Sequence, residues 1–224
     1  MKPVLSRLSG IVLTLVLLLP TVHGQEPSSS PVKVACIGNS ITYGTGIADR
    51  DRDSYPAVLG RLLGEAYDVR NFGFSARQLI QRGDRPYMKE TMYQDVLRFQ
   101  PDIAVIKLGT NDSKPQNWQY KEDFRKDLLK MLHDLDSLPS HPKIILCYPA
   151  KAYTIQWGIN DSVITHGIIP VIRQVAAEKR LPVIDLHTAT SHMEEHFPDK
   201  IHPDPTGAAL IARKVYEKIK EEKW

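Results

Sequence analysis

The hydrophobic positions along the chain follow two alternating spacings. Five short runs are continuously apolar or rich in β-branched residues, as the strands of a doubly covered sheet are. These runs cover residues 32–38, 67–73, 102–109, 143–149 and 181–186. Between them, apolar residues recur every three or four positions, which is the spacing of a helix with one buried face. This alternation predicts an α/β fold with a parallel sheet covered by helices on both faces.

Four helices are predicted from the spacing and from signals at their ends. The first three cover residues 55–63, 117–138 and 162–179. Pro170 should kink or split the third helix, because proline cannot donate the backbone hydrogen bond that the helix needs. The last helix is expected to begin after Asp204, a residue that commonly caps helix N-termini.

In parallel sheets of this kind, functional sites lie at the carboxyl ends of the strands. Ser40, Gly73 and Asn111 each lie at or just beyond such an end. We therefore expect a hydroxyl, a glycine and an amide to meet at one edge of the sheet.

The N-terminal segment has the layout of a secretory signal peptide. Lys2 and Arg7 precede a short apolar run, and small residues follow it. The run is shorter than the roughly 20 apolar residues that span a bilayer, so no stable membrane anchor is expected after cleavage. We predict a signal peptide at 1–24, a flexible leader at 25–31 and one domain at 32–224. The protein is then expected to be secreted or periplasmic.

The charge balance argues against two classes of partner. The 224 residues carry a net charge of +3, and removing Lys2 and Arg7 with the signal peptide leaves +1. A chain so close to neutral gives no basis for binding nucleic acid or an anionic membrane surface. The histidines also lack the spacing of known metal sites, so neither a metal nor another cofactor is predicted.

A serine becomes a nucleophile only when a base accepts its proton and a third group orients that base. Ser40 lies in "GNSIT" after the first strand, and "DKIH" places Asp199 three residues before His202. His187, which follows Asp185 by two residues, is a rival base, as are His192 and His196. The residues alone leave the choice among these histidines open.

Four segments in order along the chain resemble the blocks that characterise the SGNH (GDSL-like) hydrolase superfamily. They are "GNSIT" around Ser40, "NFGFSA" around Gly73, "GTND" around Asn111, and "DKIH" with Asp199 and His202. The resemblance implies a three-layer α/β/α sandwich. Its five-stranded parallel sheet should have the flavodoxin-like order 2-1-3-4-5.

The same resemblance implies a role for each residue. Ser40 would be the nucleophile, His202 the general base and Asp199 the group that orients the base. The backbone N–H groups of Ser40 and Gly73 and the side-chain amide of Asn111 would form the oxyanion hole. The resemblance thus predicts a serine esterase.

One residue departs from the family pattern. The first block usually reads GDS, and Asn39 replaces the aspartate here. Asparagine keeps the size and the hydrogen-bonding groups of aspartate but loses the charge. That aspartate is not the acid of the triad, so we expect the geometry of the site to be kept.

Two loops, "GTNDSKPQNW" and "WGIND", resemble secreted carbohydrate acetylesterases of the sialate O-acetylesterase-like kind. This implies removal of O-acetyl groups from a saccharide through an acyl-enzyme. Trp118, Tyr153 and Trp157 are candidates to stack on sugar faces at the rim. Two alternatives stay open: a lipid acyl-hydrolase or thioesterase that uses the same site, and a non-catalytic carbohydrate-binding protein with the SGNH fold.

Cys36 and Cys147 lie in the first and fourth predicted strands. The implied strand order places the third strand between them, so they should be roughly 10 Å apart. A disulfide needs Cα atoms within about 7 Å. We therefore expect both cysteines to be buried and unpaired.

Overall fold

The computed structural model describes residues 30–223, and within them five parallel strands form one sheet. The strands are β1 (Val32–Gly38), β2 (Tyr67–Gly73), β3 (Ile103–Lys107), β4 (Lys143–Cys147) and β5 (Val183–Ile184). Their order is β2-β1-β3-β4-β5, which confirms the predicted topology. The predicted signal peptide at 1–24 lies outside the described residues.

The helices follow the strands in chain order. They are α1 (Ser40–Tyr43), α2 (Arg50–Asp53), α3 (Tyr55–Leu63), α4 (Thr91–Phe99), α5 (Pro115–Trp118), α6 (Glu122–Asp136), α7 (Asp161–Val163), α8 (Ile169–Lys179), α9 (Leu186–Ala189) and α10 (Pro205–Glu222). Short 3₁₀ turns cover Tyr87–Lys89, Asn111–Ser113 and Glu194–His196, and a π-helical turn covers Ile164–Ile168.

β1, β3 and β4 are largely buried on both faces of the sheet, as their apolar runs predict, whereas β2 at the edge of the sheet is partly exposed. On one face, Val34 and Cys36 of β1 belong to a core completed by α3 and α10. On the other face, Ala35 and Ile37 belong to a core completed by α4, α6 and α8. Successive side chains of a strand point to opposite faces, so β1 serves both cores. This arrangement confirms the predicted layers.

The predicted helix boundaries hold where the end signals were strong. The helix predicted at 55–63 is α3, and Asp204 caps α10 by accepting hydrogen bonds from two backbone N–H groups. The third predicted helix is not split at Pro170: helical backbone continues from α7 through the π-helical turn at 164–168 into α8, and Pro170 lies in the first turn of α8. The helix α4 was not predicted.

The cysteine prediction is confirmed. Cys36 and Cys147 are both buried and unpaired, with β3 between their strands. Burial raises the pKa of each thiol to about 12, which keeps both protonated. Among residues 30–223, no helix is both long and apolar enough to cross a membrane.

Candidate active site

The first strand delivers Ser40 to the carboxyl edge of the sheet through an abrupt change from strand to helix. β1 ends at Gly38, where a Cβ would overlap the Thr42 side chain and crowd the backbone of β3. Asn39 then caps α1, because its side-chain oxygen accepts the N–H of Ile41 at 3.2 Å. Ser40 is therefore the first residue of α1 and is only 7% exposed.

Ser40, His202 and Asp199 form a continuous hydrogen-bonded chain. His202 Nε2 lies 2.8 Å from Ser40 Oγ, and His202 Nδ1 lies 2.7 Å from Asp199 Oδ2. The second carboxylate oxygen of Asp199 accepts the backbone N–H groups of Ile201 and His202. The structure thus brings together the three residues predicted to form a triad.

The carboxylate of Asp199 is suited to hold the histidine ring. Partial burial acts to raise the pKa of this carboxyl, but the hydrogen bonds from His202 and Ile201 outweigh it and leave the pKa below its usual value. An ionised Asp199 favours the proton on Nδ1 of His202. Nε2 is then free to accept the proton of the Ser40 hydroxyl.

Two of the three rival histidines are hydrogen bonded to carboxylates other than Asp199. His187 Nε2 lies 3.0 Å from Asp161, and His196 Nδ1 lies 3.0 Å from Asp204. Asp185 caps α9 by accepting the backbone N–H of Thr188, so it does not pair with His187. His192, like these two histidines, does not line the pocket that contains Ser40.

A pocket of about 240 Å³ opens at Ser40. The residues that line it are Ser40, Thr45, Ser75, Ala76, Asn111, Lys114, Trp157, Ile159 and His202. They come from the loops after β1, β2, β3 and β4 and from the C-terminal segment before α10. The pocket therefore draws on four strand ends, as expected for a parallel sheet.

Asn111 lies in this pocket and is held from two sides. Its side-chain amide donates one hydrogen bond to the Arg77 carbonyl at 3.0 Å. The backbone carbonyl of Asn111 accepts a hydrogen bond from the side-chain amide of Asn117. An amide nitrogen carries two N–H groups, so one remains for a substrate. The structure places Asn111 where the sequence predicted it.

The neighbouring carboxylate ties two loops together. Asp112 is fully buried and accepts the backbone N–H groups of Leu79 and Ile80 at 2.8–3.1 Å. Burial raises the pKa of Asp112 to about 6, against the opposing effect of these hydrogen bonds. This contact fixes the loop after β2 against the loop after β3. Sequence reasoning did not identify this role of Asp112.

Gly73 is not where the prediction placed it. Its N–H donates to the side-chain oxygen of Asn71 at 2.9 Å, and the residue does not line the pocket. A Cβ on Gly73 would overlap the backbone of Thr42 and Tyr43. Glycine is needed here because β2 packs closely against α1, and its N–H is already engaged by Asn71.

Ala76, and not Gly73, lines the pocket beside Ser40. It has a φ of 65°, in the left-handed region that few alanines adopt. No residue in the described range 30–223 accepts a hydrogen bond from its N–H. Backbone strain of this kind is often found at functional sites. No feature of the sequence marked this alanine.

Of the three predicted aromatic residues, the structure brings one to the pocket. Trp157 is 57% exposed, and its ring centroid lies 5.5 Å from that of His202. Trp118 instead packs on Phe124, and Tyr153 packs on Phe197. The Tyr153 hydroxyl also donates to the Thr190 carbonyl, so we assign Trp118 and Tyr153 to the packing of the domain.

A tight turn at residues 156–159 places the side chain of Trp157 at the surface. The backbone N–H of Ile159 donates to the Gln156 carbonyl at 2.9 Å, which closes the turn. Trp157 has a φ of 51° and Gly158 a φ of 81°, as two-residue hairpin turns with two left-handed positions require. A bulky residue rarely adopts this conformation. The fold therefore accepts strain at a position that exposes an indole beside the triad.

The model of the GDSL-like lipase/acylhydrolase family matches residues 36–210. An acetylxylan esterase of Xylanibacter ruminicola is 44% identical over 212 residues, which cover 87% of this chain and 44% of the relative. The chain thus spans less than half the length of that relative.

Two solved structures share the architecture. A lipase/acylhydrolase from Enterococcus faecalis has 26% identity and a TM-score of 0.70, and the match covers 85% of this chain and 96% of the other. A carbohydrate acetylesterase from Sinorhizobium meliloti has 15% identity and a TM-score of 0.70, and the match covers 85% and 99%. The second likeness concerns the fold alone.

Proposed function

We propose that this chain, which belongs to the GDSL-like lipase/acylhydrolase family, is a serine esterase that removes acetyl groups from a carbohydrate. The observation that carries the proposal is the hydrogen-bonded chain of Ser40, His202 and Asp199 beside an open pocket. The acetylxylan esterase of X. ruminicola and the exposed indole of Trp157 support a carbohydrate as the alcohol part of the ester.

The reaction we propose proceeds through an acyl-enzyme. Ser40 Oγ attacks the carbonyl carbon of the acetyl ester while His202 Nε2 accepts the serine proton. Asp199 stabilises the imidazolium that forms. The tetrahedral intermediate then collapses, the bond to the sugar oxygen breaks, and His202 returns the proton to that oxygen. Water attacks the acetyl-serine by the same steps and releases acetate.

Three donors are suited to the negative charge on the carbonyl oxygen. Two are the backbone N–H groups of Ser40 and Ala76, and the third is the free N–H of the Asn111 amide. Ala76 takes the place that the sequence assigned to Gly73, because Ala76 lines the pocket and Gly73 does not. Fixed donors of this kind stabilise the transition state without reorganisation.

The size of the pocket favours a short acyl group. Its volume of about 240 Å³ is below the range of about 300–1,000 Å³ that is typical of sites for larger ligands. Thr45 and Ser75 line it and are hydrogen bonded to each other at 2.8 Å through their hydroxyls. An acetyl group fits such a site better than a long fatty acyl chain. The signal-like N-terminus supports a secreted or periplasmic location for this activity.

The triad is tested by single substitutions. We expect Ser40→Ala and His202→Ala each to lower kcat for p-nitrophenyl acetate by about 10³-fold or more. Asp199→Asn should cost as much or less, because it removes only the orientation of the imidazole. His187→Ala is the matched control and should leave kcat within a few-fold of the wild type. Activity that survives His202→Ala but not His187→Ala would show that the base is wrongly assigned.

The substrate class is tested with the wild-type protein. Release of acetate from acetylated xylan, together with a higher kcat/KM for p-nitrophenyl acetate than for the octanoate, would support the acetylesterase. Faster turnover of the octanoate would support a lipid acyl-hydrolase instead. Binding of the polysaccharide without hydrolysis of either ester would favour a carbohydrate-binding protein.

A further inference from the structure

Lys114 is a cation at the rim of the catalytic pocket, and the triad chemistry does not use it. It lines the same pocket as Ser40, Asn111 and Trp157. It directly precedes α5 and is partly buried. Its position raises the question of what its ammonium group binds.

The backbone of Lys114 is firmly held. Its N–H donates to the Asn111 carbonyl at 3.3 Å, and its own carbonyl accepts the N–H groups of Asn117 and Trp118 at 2.9 and 2.8 Å. The side-chain stem lies against the turn that carries Trp157. Lys114 Cβ and Cγ are each 3.7 Å from the position that a Cβ on Gly158 would occupy. The lysine and the exposed indole are therefore parts of one rim.

The ammonium group has no partner within the protein. Among residues 30–223, no side chain forms a hydrogen bond or an ion pair with Lys114 Nζ by the usual distance limits. Lys151, which is also partly buried, is by contrast paired with Asp161 at 2.6 Å. Burial lowers the pKa of Lys114, and the charge of Arg85 adds to this effect while that of Asp84 opposes it. A partly buried cation that no side chain contacts is unfavourable.

The pocket offers no anion of its own. None of the residues that line it carries a carboxylate, and Asp199 is engaged behind the ring of His202. A cleft with one sign of charge attracts ligands of the opposite sign. The face of Trp157 beside it provides an apolar surface of the kind on which a sugar ring packs. The rim thus combines a sugar platform with a site for a negative charge.

We propose that Lys114 makes the enzyme selective for acetylated saccharides that carry a carboxylate, such as a uronic acid unit adjacent to the acetylated sugar. This inference rests on the proposed esterase function and adds the charge of its substrate. The carboxylate would lie against the ammonium of Lys114 while the acetyl group enters the pocket at Ser40. The lysine is then a specificity-determining residue rather than a participant in bond breaking.

The test uses two substrates that differ in one group. One is an acetylated xylo-oligosaccharide with a glucuronic acid substituent, and the other is the same compound with the carboxylate reduced to the neutral alcohol. We expect the wild type to have a kcat/KM about tenfold higher for the acidic substrate, because hydrogen bonds to charged groups are stronger than neutral ones. Lys114→Gln should remove this preference, mainly through KM, and the wild-type preference should shrink as salt is raised.

The matched control is Lys143→Gln. Lys143 is an exposed lysine at the amino end of β4, on the opposite edge of the sheet, and its substitution should leave the preference intact. Equal turnover of the two substrates by the wild type would overturn the proposal. An equal loss on both substrates in Lys114→Gln would also overturn it, since the lysine would then act in catalysis. If the wild type hydrolyses neither these substrates nor p-nitrophenyl acetate, the esterase assignment itself fails.

Discussion

Lys107 presents a buried charge that should lower the stability of the fold. It is the last residue of β3 and is only 1% exposed. Within the described part of the chain, its ammonium nitrogen has no hydrogen-bond partner. Burial lowers the pKa of Lys107 from 10.5 to about 8, an effect that the nearby Cys147 only partly opposes. The folded state therefore holds the proton less tightly than the unfolded state does.

The size and sign of the effect on the free energy of unfolding follow from the linkage between proton binding and folding. One pKa unit corresponds to about 1.4 kcal/mol, so the difference between 10.5 and about 8 costs the folded state about 3 kcal/mol. This cost is fully present below pH 8, where both states are protonated. Between pH 8 and pH 10.5 the unfolded state binds more protons, so the contribution of this group to the free energy of unfolding rises with pH. Above that range the cost is gone.

Lys107→Met tests this reasoning, because methionine is a flexible, unbranched side chain of similar length without the amine. We expect the free energy of unfolding to rise by about 3 kcal/mol at pH 7, and the difference from wild type to shrink as the pH approaches 10.5. Urea unfolding followed by circular dichroism, for both proteins at several pH values, measures it. Comparing the two proteins at each pH cancels the titration of the tyrosines and other groups that they share.

Exposed Lys143 provides the control, since Lys143→Met should change the stability by no more than about 0.5 kcal/mol at any pH. A Lys107→Met variant that is less stable than wild type at pH 7 would show that the ammonium makes a favourable interaction. A gain that does not depend on pH would show that better packing, and not the loss of a buried charge, is responsible.

Two further predictions concern the pocket and the cysteines. Asn111→Ala should lower kcat for p-nitrophenyl acetate by roughly 10²-fold or more with little change in KM, because the amide acts when the carbonyl oxygen is charged. A raised KM with kcat intact would assign Asn111 to substrate binding. Thiol titration of the denatured protein without reductant should give two free thiols per chain, from Cys36 and Cys147; finding none in a monomer would contradict the strand order.

The elements that the sequence predicted well are those whose signal is local. β1 and β2 have the predicted bounds, because each run ends at a glycine whose missing Cβ leaves room for neighbouring atoms. β5 is shorter than predicted, at Val183–Ile184, because Leu186 already belongs to α9. The strand order, by contrast, came from the family resemblance, since periodicity carries no information on which strands are neighbours.

The helix α4 was missed for a related reason. Three buried residues, Tyr93, Val96 and Phe99, lie three positions apart and face the core. Between them, Gln94, Asp95 and Arg98 are polar and Leu97 is partly buried, so the segment does carry the apolar spacing of a short amphipathic helix. A helix of nine residues gains most of its stability from tertiary packing, and that packing is not visible from one segment alone.

The proposed oxyanion hole contains a residue that could not be predicted from its side chain. Side-chain chemistry limited the candidates to residues that can attack, donate or accept a proton, and the family resemblance selected Ser40, Asn111 and His202 among them. A backbone N–H belongs to every residue except proline, so the residue type does not say which N–H faces the pocket. That choice is made by tertiary contacts, here by Asp112, which holds the loop after β2 through Leu79 and Ile80. Gly73 is a glycine for close packing. In the mechanism we propose, Ala76 provides the donor, because Asp112 fixes its loop in place.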